Sequence, residues 1–195
     1  MTLSRINVIN KVVSLILSLI LIALLIKIDS EGPVLYIQER FGKDGQIFKI
    51  YKFRSMVKDA ESRLGLLINL DELEEPVFKI KDDPRVTSIG RILRRTRFDE
   101  IPQFFNVLKG EMSLVGPRPE EVQMAKRYNP WQRTRLLMKP GITGPVQISG
   151  IGDKPLNERV VLEEDYIKNY SLKRDIVILM KTIPAILGSS KYVHS

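Results

Sequence analysis

The sequence predicts an α+β fold that is predominantly helical, with an N-terminal membrane-inserted helix, a small β-hairpin and amphipathic helices at the membrane interface. An uncharged run over residues 12–26 is apolar on nearly every face. Two short runs rich in β-branched and aromatic residues flank a turn within 34–53. Apolar residues near helical spacing recur further along the chain. We therefore divide the chain into an inserted helix, residues 1–30, and an extramembrane domain, residues 31–195.

The inserted helix is predicted from the segment between Lys11 and Lys27, which is interrupted only by Ser14 and Ser18. Fifteen helical residues cover about 22 Å, less than the roughly 30 Å of a hydrocarbon core. This length favours a helix that enters one leaflet and returns (a re-entrant helix), or that lies shallow, over a full span. The alternatives are a cleaved signal peptide, which the missing small-x-small site after Lys27 disfavours, and the buried core helix of a soluble protein.

The elements between residues 34 and 84 are predicted from local sequence patterns. Residues 34–38 and 47–53 predict the two strands of a hairpin, and the glycine-containing segment 41–45 predicts its turn. Residues 56–70 predict a helix. An acidic, proline-interrupted connection follows over 71–84.

Two helices are predicted around the most informative part of the chain. The first is a basic helix over 88–96, in which Arg91, Arg94 and Arg95 share one face. The second is expected to begin at Asp99, near the N-cap, and to end at Leu108 before a Lys-Gly pair.

The C-terminal third predicts a turn-rich linker followed by two helices. The linker covers 140–145, an amphipathic helix covers 160–170, and a strongly apolar helix covers 172–187 with a kink at Pro184. The last helix can cap the core or lie in the membrane interface. Trp131 is predicted to be either a headgroup-level anchor or an ordinary packed side chain.

Composition narrows the chemistry. The chain has no cysteine, and its one histidine is His194 at the C-terminal end, so thiol nucleophiles, zinc sites and histidine bases are disfavoured. A catalytic metal would need oxygen ligands, which favours magnesium or manganese. The net charge of +8 attracts nucleic acid, anionic lipid or phosphorylated small molecules, without choosing among them.

Two adjacent carboxylates, Asp99 and Glu100, are the candidate reacting groups. Arginines stand just upstream, and Arg118 is held between two prolines. One carboxylate can hold magnesium while the other attacks phosphorus, and the arginines neutralise phosphate charge. The pattern therefore indicates phosphoryl transfer. In the structural alternative, Asp99 only caps a helix, the arginine face is solvated, and Arg118 lies in a solvated corner.

Five motifs stand in a fixed order along the chain: Tyr51–Met56, Asp99–Gln103, Asn106–Gly110, Met112–Pro119 and Lys139–Gly144. With these motifs the chain resembles the bacterial sugar transferases, the monotopic phosphoglycosyl transferases also known as polyprenyl-phosphate sugar-1-phosphate transferases. The similarity runs from about Lys11 to Tyr192. One feature differs, because the family's membrane helix usually carries a Ser-Pro break and here Leu19 follows Ser18.

The resemblance implies an enzyme of the bacterial inner membrane whose catalytic domain faces the cytoplasm. It implies transfer of a sugar-1-phosphate from a UDP-sugar to polyprenyl (undecaprenyl) phosphate, with Mg²⁺ as cofactor and UMP as product, at the start of glycoconjugate synthesis. Asp99 would be the nucleophile that forms a covalent phosphosugar intermediate, and Glu100 would hold magnesium together with Asp99. The residues expected to bind substrate phosphates or line the pocket are Lys52, Arg94, Arg118 and Gln103.

Two other classes remain as alternatives. A basic membrane-surface or nucleic-acid-binding module would bind anionic polymers in a salt-dependent way without turnover, but the basic residues are not interleaved with stacking aromatics. A metal-dependent phosphohydrolase would not need the apolar helix. The sequence favours the transferase, with no nucleic-acid partner. It leaves open the sugar, the destination glycan, the polyprenol length, the membrane topology and whether a homodimer forms.

Overall fold

The computed structural model describes residues 2–67, 80, 82–152 and 154–188, and for residues 2–6 it describes the backbone alone. The described chain is mostly helical, as predicted, and carries two small two-stranded sheets. The strands are β1 Leu35–Phe41, β2 Ile47–Phe53, β3 Ser113–Val115 and β4 Gly141–Thr143. The α-helices are α1 Thr2–Asp29, α2 Ala60–Leu67, α3 Ser88–Thr96, α4 Phe104–Leu108, α5 Val122–Ala125, α6 Pro145–Ser149, α7 Leu156–Lys168 and α8 Leu172–Gly188.

Helix α1 is longer than the uncharged segment that predicts it. It runs without interruption for 28 residues, about 42 Å. Within it, Asn7–Asp29 is long and apolar enough to cross a membrane, and only 6% of an apolar 18-residue stretch of this segment is buried. The length argument against a full span was therefore wrong, and a re-entrant turn is not confirmed. Ser18 Oγ donates to the Ser14 carbonyl oxygen (2.8 Å), a contact that can bend a helix but does not break this one.

The C-terminal end of α1 is built into the rest of the fold. Ile26 is buried against Phe53 and Leu93. The guanidinium of Arg54 donates to the last carbonyl oxygens around the helix end, including Ser30 (2.6 Å). Asp29 Oδ2 accepts the Ile89 backbone N–H (2.9 Å). These contacts argue against a removable signal peptide, and the exposure of the remaining apolar surface argues against a soluble core helix.

The predicted hairpin is confirmed. Strands β1 and β2 pair antiparallel from Leu35↔Phe53 to Phe41↔Ile47. Their connection turns through Asp44 and Gly45, both in the left-handed region (φ 55° and 75°). The inward face of β2 carries Phe48 and Ile50, which pack on Met112. The alternate residues Ile47 and Lys49 face the other side of the strand and are exposed.

The region before the two carboxylates follows the prediction where it is described. Helix α2 lies within the predicted 56–70 segment, whose last three residues lie outside the described residues, as does the acidic part 71–79. The basic helix α3 is confirmed, and Thr87 Oγ1 caps it by accepting the Gly90 N–H (3.0 Å).

The predicted helix from Asp99 to Leu108 is wrong in its first half. Residues Phe98–Gln103 form a 3-10 helix, and only Phe104–Leu108 are α-helical. Pro102 has no N–H to donate, and Arg97 enters the segment in the left-handed conformation (φ 60°). Asp99 therefore lies inside the 3-10 helix, and the residue at its N-cap is Arg97.

The predicted turn-rich linker at 140–145 is also wrong, because it contains a strand. β4 pairs parallel with β3, Ser113 opposite Gly141 and Val115 opposite Thr143. The backbones approach so closely that a Cβ on Gly141 would lie 2.1 Å from the Gly116 nitrogen. Only glycine fits there, which accounts for a composition that resembles a loop.

The C-terminal helices form as predicted, with shifted ends. Helix α7 begins before the predicted 160–170 segment, and α8 continues through Pro184. The two are linked by the Tyr166 hydroxyl, which donates to Asp175 Oδ1 (2.5 Å). Trp131 is a packed residue, because its indole N–H donates to Glu164 (3.1 Å) and its ring contacts the cluster around Tyr128.

Candidate active site

The two adjacent carboxylates are buried side by side. Asp99 is 8% exposed and Glu100 is 7% exposed. Because the 3-10 helix winds more tightly than an α-helix and starts at a left-handed residue, it turns both side chains into the protein. Asp99 is not the N-cap of this helix, a position that Arg97 holds.

Glu100 is the centre of a charge cluster drawn from three parts of the fold. Strand β2 supplies Lys52, whose Nζ lies 3.7 Å from Glu100 Oε1. The proline-flanked segment after β3 supplies Arg118, whose Nη1 lies 3.4 Å from the same oxygen. The structure thus brings together four predicted site residues, Lys52, Asp99, Glu100 and Arg118.

The charges in this cluster shift each other's protonation. Burial alone would raise the pKa of Glu100, but Arg118 and Lys52 outweigh it and hold that pKa below its ordinary value. Burial, followed by the neighbouring Glu100 carboxylate, raises the pKa of Asp99. Burial lowers the pKa of Lys52 to about 8, against the opposing effect of Glu100. Asp99 is therefore the more basic carboxylate.

One oxygen of Asp99 has no hydrogen-bond partner among the described residues. Asp99 Oδ1 is buried and unpaired, an arrangement that costs free energy unless a ligand completes it. The described residues contain no cluster of three or more metal-ligating side chains. Magnesium usually takes one or two carboxylates together with substrate phosphates and water. The Asp99–Glu100 pair therefore fits a magnesium ion that binds with a phosphorylated substrate.

The other predicted residues lie nearby in different roles. Arg94 is exposed on α3, and its Nε donates to Ser55 Oγ (2.8 Å) at the end of β2. Its charge reaches Asp99 and opposes the rise in that residue's pKa. Gln103, which was expected to line the pocket, is only 2% exposed. Arg91 and Arg95, on the same helix, are exposed.

Sequence reasoning missed the residues that contact Arg94 and Arg118 on the side away from the carboxylates. Ser55 aligns Arg94, while Arg135 and Glu163 contact the backbone of Arg118. Arg135 and Glu163 are 28 positions apart in the sequence, so no local pattern could pair them.

The chain belongs to the bacterial sugar transferase family, whose sequence model matches residues 4–189. The resemblance seen in the motifs is thereby confirmed.

Several named relatives are similar to this chain. It is 46% identical over 157 residues to the galactosyl transferase CpsE of Streptococcus agalactiae serotype III (strain NEM316), covering 80% of this chain and 35% of that protein. It is 45% identical over 160 residues to the undecaprenyl-phosphate galactose phosphotransferase of Salmonella typhimurium (strain LT2), covering 80% and 34%.

A third relative, from Aeromonas hydrophila, is named UDP-N-acetylgalactosamine-undecaprenyl-phosphate N-acetylgalactosaminephosphotransferase. The identity is 43% over 171 residues, covering 85% of this chain and 38% of that protein. The chain thus spans roughly a third of the length of these three relatives.

Proposed function

We propose that this protein is a phosphoglycosyl transferase that moves a sugar-1-phosphate from a UDP-sugar to polyprenyl phosphate, releasing UMP. The observation that carries the proposal is the buried, unpaired oxygen of Asp99 beside the Glu100–Lys52–Arg118 charge cluster. The names of two relatives, which include undecaprenyl phosphate and a transferred phosphosugar, support this donor and acceptor.

The reaction has two displacements at one phosphorus. A carboxylate oxygen of Asp99 attacks the phosphorus that bears the sugar, and the bond from that phosphorus to the UMP oxygen breaks. A phosphate oxygen of the polyprenyl acceptor then attacks the same phosphorus, and the bond to Asp99 breaks. The raised pKa of Asp99 makes it the better nucleophile of the two carboxylates.

The neighbouring residues supply charge stabilisation. Arg118 and Lys52 lie beside the carboxylates, so they would contact a diphosphate that Asp99 attacks. Their positive charges would neutralise the negative charge that grows on the departing UMP. Glu100 and Asp99 would hold Mg²⁺ together with phosphate oxygens, and the ion would polarise the phosphorus that is attacked. Burial keeps these charges in a low dielectric, where they act strongly.

The membrane supplies the acceptor. Helix α1 exposes apolar side chains along its length, and its buried end at Ile26 and Arg54 couples it to the strand that carries Lys52. In the proposed arrangement α1 inserts into the inner membrane, either crossing it or returning, and the catalytic domain faces the cytoplasm. The exposed apolar residues of α8, such as Met180 and Ile183, would lie in the interface. The lipid product would start glycoconjugate assembly, such as an exopolysaccharide.

The test uses the full chain in nanodiscs with Mg²⁺, polyprenyl phosphate and a panel of UDP-sugars that begins with UDP-galactose and UDP-N-acetylgalactosamine. UMP and a lipid-linked phosphosugar are measured together, with Asp99→Asn as the matched control. We expect equal amounts of both products from at least one donor, and neither from the control.

Other results would point elsewhere. Free sugar phosphate without lipid product would favour a phosphohydrolase. Salt-dependent binding to anionic lipid with no UMP from any donor would favour a membrane-surface module. Full turnover by Asp99→Asn would remove Asp99 as the nucleophile.

A further inference from the structure

A buried ion pair, Arg135 and Glu163, lies behind the proline-flanked segment that carries Arg118. Arg135 comes from the 3-10 helix Gln132–Leu137 and is 3% exposed, while Glu163 comes from α7 and is 0% exposed. Arg135 Nη2 donates to Glu163 Oε1 (2.9 Å), and Arg135 Nε lies 2.8 Å from Glu163 Oε2 as an ion pair without hydrogen-bond geometry.

Both residues also bond to the backbone of Arg118. The Arg118 N–H donates to Glu163 Oε1 (3.0 Å), and Arg135 Nη2 donates to the Arg118 carbonyl oxygen (3.3 Å). Arg40, on β1, donates to the carbonyl oxygen of the next residue, Pro119 (3.3 Å). The backbone of this segment is therefore held on one side, and the guanidinium of Arg118 reaches Glu100 on the other.

The sheet fixes the preceding residues in the same way. The Gly116 N–H donates to the Thr143 carbonyl oxygen (2.9 Å), and the Gly141 N–H donates to the Pro117 carbonyl oxygen (2.8 Å). Strand pairing therefore sets the start of the segment, and the ion pair sets Arg118 itself.

Stability alone is a poor reason for such a pair. Burying two charges costs several kcal/mol per ion, and apolar replacements of similar volume are often as stable. The charge is balanced locally, because Glu120 lies 3.5 Å from Arg135 Nη1 and 3.7 Å from Arg159 Nη1. What an apolar pair cannot do is bond to both the N–H and the carbonyl oxygen of Arg118.

We infer that Arg135 and Glu163 are positioning residues that fix the backbone of Arg118, so that its guanidinium faces Glu100 and the donor diphosphate. The expected effect on KM rests on the proposed function, whereas the expected effect on the Arg118 backbone rests on the geometry alone. Neither residue touches the dyad in the contacts described above, so both act through Arg118.

The structural consequence is tested by hydrogen–deuterium exchange. Pro117 and Pro119 have no N–H, so the segment 116–119 contributes only the amides of Gly116 and Arg118 to a longer peptide that begins upstream of Gly116. The variant carries Arg135→Met and Glu163→Met together, which removes the pair and leaves Glu120 opposite Arg159. We expect the Arg118 amide to exchange at least tenfold faster while Gly116 stays protected. Glu164→Gln, the adjacent residue on α7, is the matched control and should leave both amides unchanged.

The kinetic consequence is tested by a mutant cycle with Arg118→Met and whichever UDP-sugar is turned over. Losing well-placed charge-assisted hydrogen bonds to phosphate should raise KM for the donor by roughly tenfold or more. If the pair acts through Arg118, its double substitution should raise KM to a similar degree in the native background and less than about twofold in Arg118→Met. If the double substitution raises KM by the same factor in the native chain and in Arg118→Met, the pair does not act through Arg118, and the positioning role is overturned.

The outcomes separate the two proposals. Unchanged exchange at Arg118 in the double variant overturns the inference, whatever the enzyme does. If the Arg118 amide exchanges faster in the double variant but the native chain turns over no donor, the proposed function fails. The conclusion that Arg135 and Glu163 fix the Arg118 backbone is then still supported. Should the double variant not fold, Arg135→Lys decides instead. It keeps the charge opposite Glu163 but cannot bridge to the Arg118 carbonyl oxygen, so an unaltered KM would contradict us.

Discussion

Replacing Gly90 by alanine tests whether the close packing of α3 on Ser55 positions Arg94 at the site. A Cβ there would lie 2.0 Å from the Ser55 carbonyl oxygen and 2.6 Å from its carbon. Both are backbone atoms, so no side-chain rotation relieves the overlap. Bringing the closest contact to 3.0 Å requires about 1 Å of separation between α3 and Ser55.

That separation has a calculable cost. The hydrogen bond from Arg94 Nε to Ser55 Oγ, now 2.8 Å, would stretch beyond hydrogen-bond range. Overpacking costs about 1–3 kcal/mol and the lost charged hydrogen bond about 1.5–3 kcal/mol, against a gain of about 1 kcal/mol from replacing a helical glycine by alanine. We expect Gly90→Ala to lower the free energy of unfolding by about 2–4 kcal/mol, which is roughly 5–15 °C in Tm.

The assay is thermal unfolding followed by the fluorescence of Trp131, the only tryptophan, together with turnover in nanodiscs. Gly65→Ala is the matched control, because Gly65 is also helical but has nothing within 4 Å of its added Cβ. It should raise the free energy of unfolding by up to about 1 kcal/mol. If the two substitutions shift Tm equally, or if Gly90→Ala keeps full turnover, the close packing of α3 on Ser55 does not position Arg94.

Three further predictions concern the charges and the frame of the site. Glu100→Gln should lower turnover strongly and raise the magnesium concentration needed for half-maximal activity by about tenfold or more, since a charged oxygen is lost; an unchanged magnesium titration would sink the ligand assignment. The value of kcat/KM for the donor should fall as pH rises through about 8, because Lys52 loses its proton there. Lys52→Arg keeps its charge and should move that alkaline limb to higher pH, so an unmoved limb would exclude Lys52 as its origin. Asn106 is fully buried; its side chain accepts from the Tyr51 N–H (3.2 Å) and donates to the Lys49 carbonyl oxygen (2.7 Å). Asn106→Leu should therefore cost about 2–4 kcal/mol in urea unfolding, and a loss below about 0.5 kcal/mol would contradict that reading.

Elements with local signals could be predicted from the sequence. The hairpin is predicted by two runs rich in β-branched and aromatic residues around a glycine-containing turn, and α3, α7 and α8 are predicted by helical spacing. The carboxylate dyad, Arg118 and Lys52 were found because their motifs are contiguous, although nothing local shows that Lys52 meets Glu100 across 48 positions.

The elements that sequence reasoning missed depend on distant partners. Strands β3 and β4 have three residues each and acquire a sheet only by pairing with each other. The 3-10 geometry at Asp99 depends on the left-handed residue Arg97, for which arginine gives no signal. Nothing in the local sequence distinguishes Arg135 from a surface cation, but the fold buries it against Glu163.

The most direct test of covalent catalysis by Asp99 is intact-protein mass spectrometry of the full chain with Mg²⁺ and the UDP-sugar, in the absence of polyprenyl phosphate. The proposed mechanism predicts a mass increase of one phosphosugar per chain, mapped by peptide analysis to Asp99, with one UMP released. Asp99→Asn should show neither. The adduct should disappear when polyprenyl phosphate is added. UMP release that requires the lipid from the start, with no adduct at any time, would contradict the two-step mechanism and require direct transfer between the substrates.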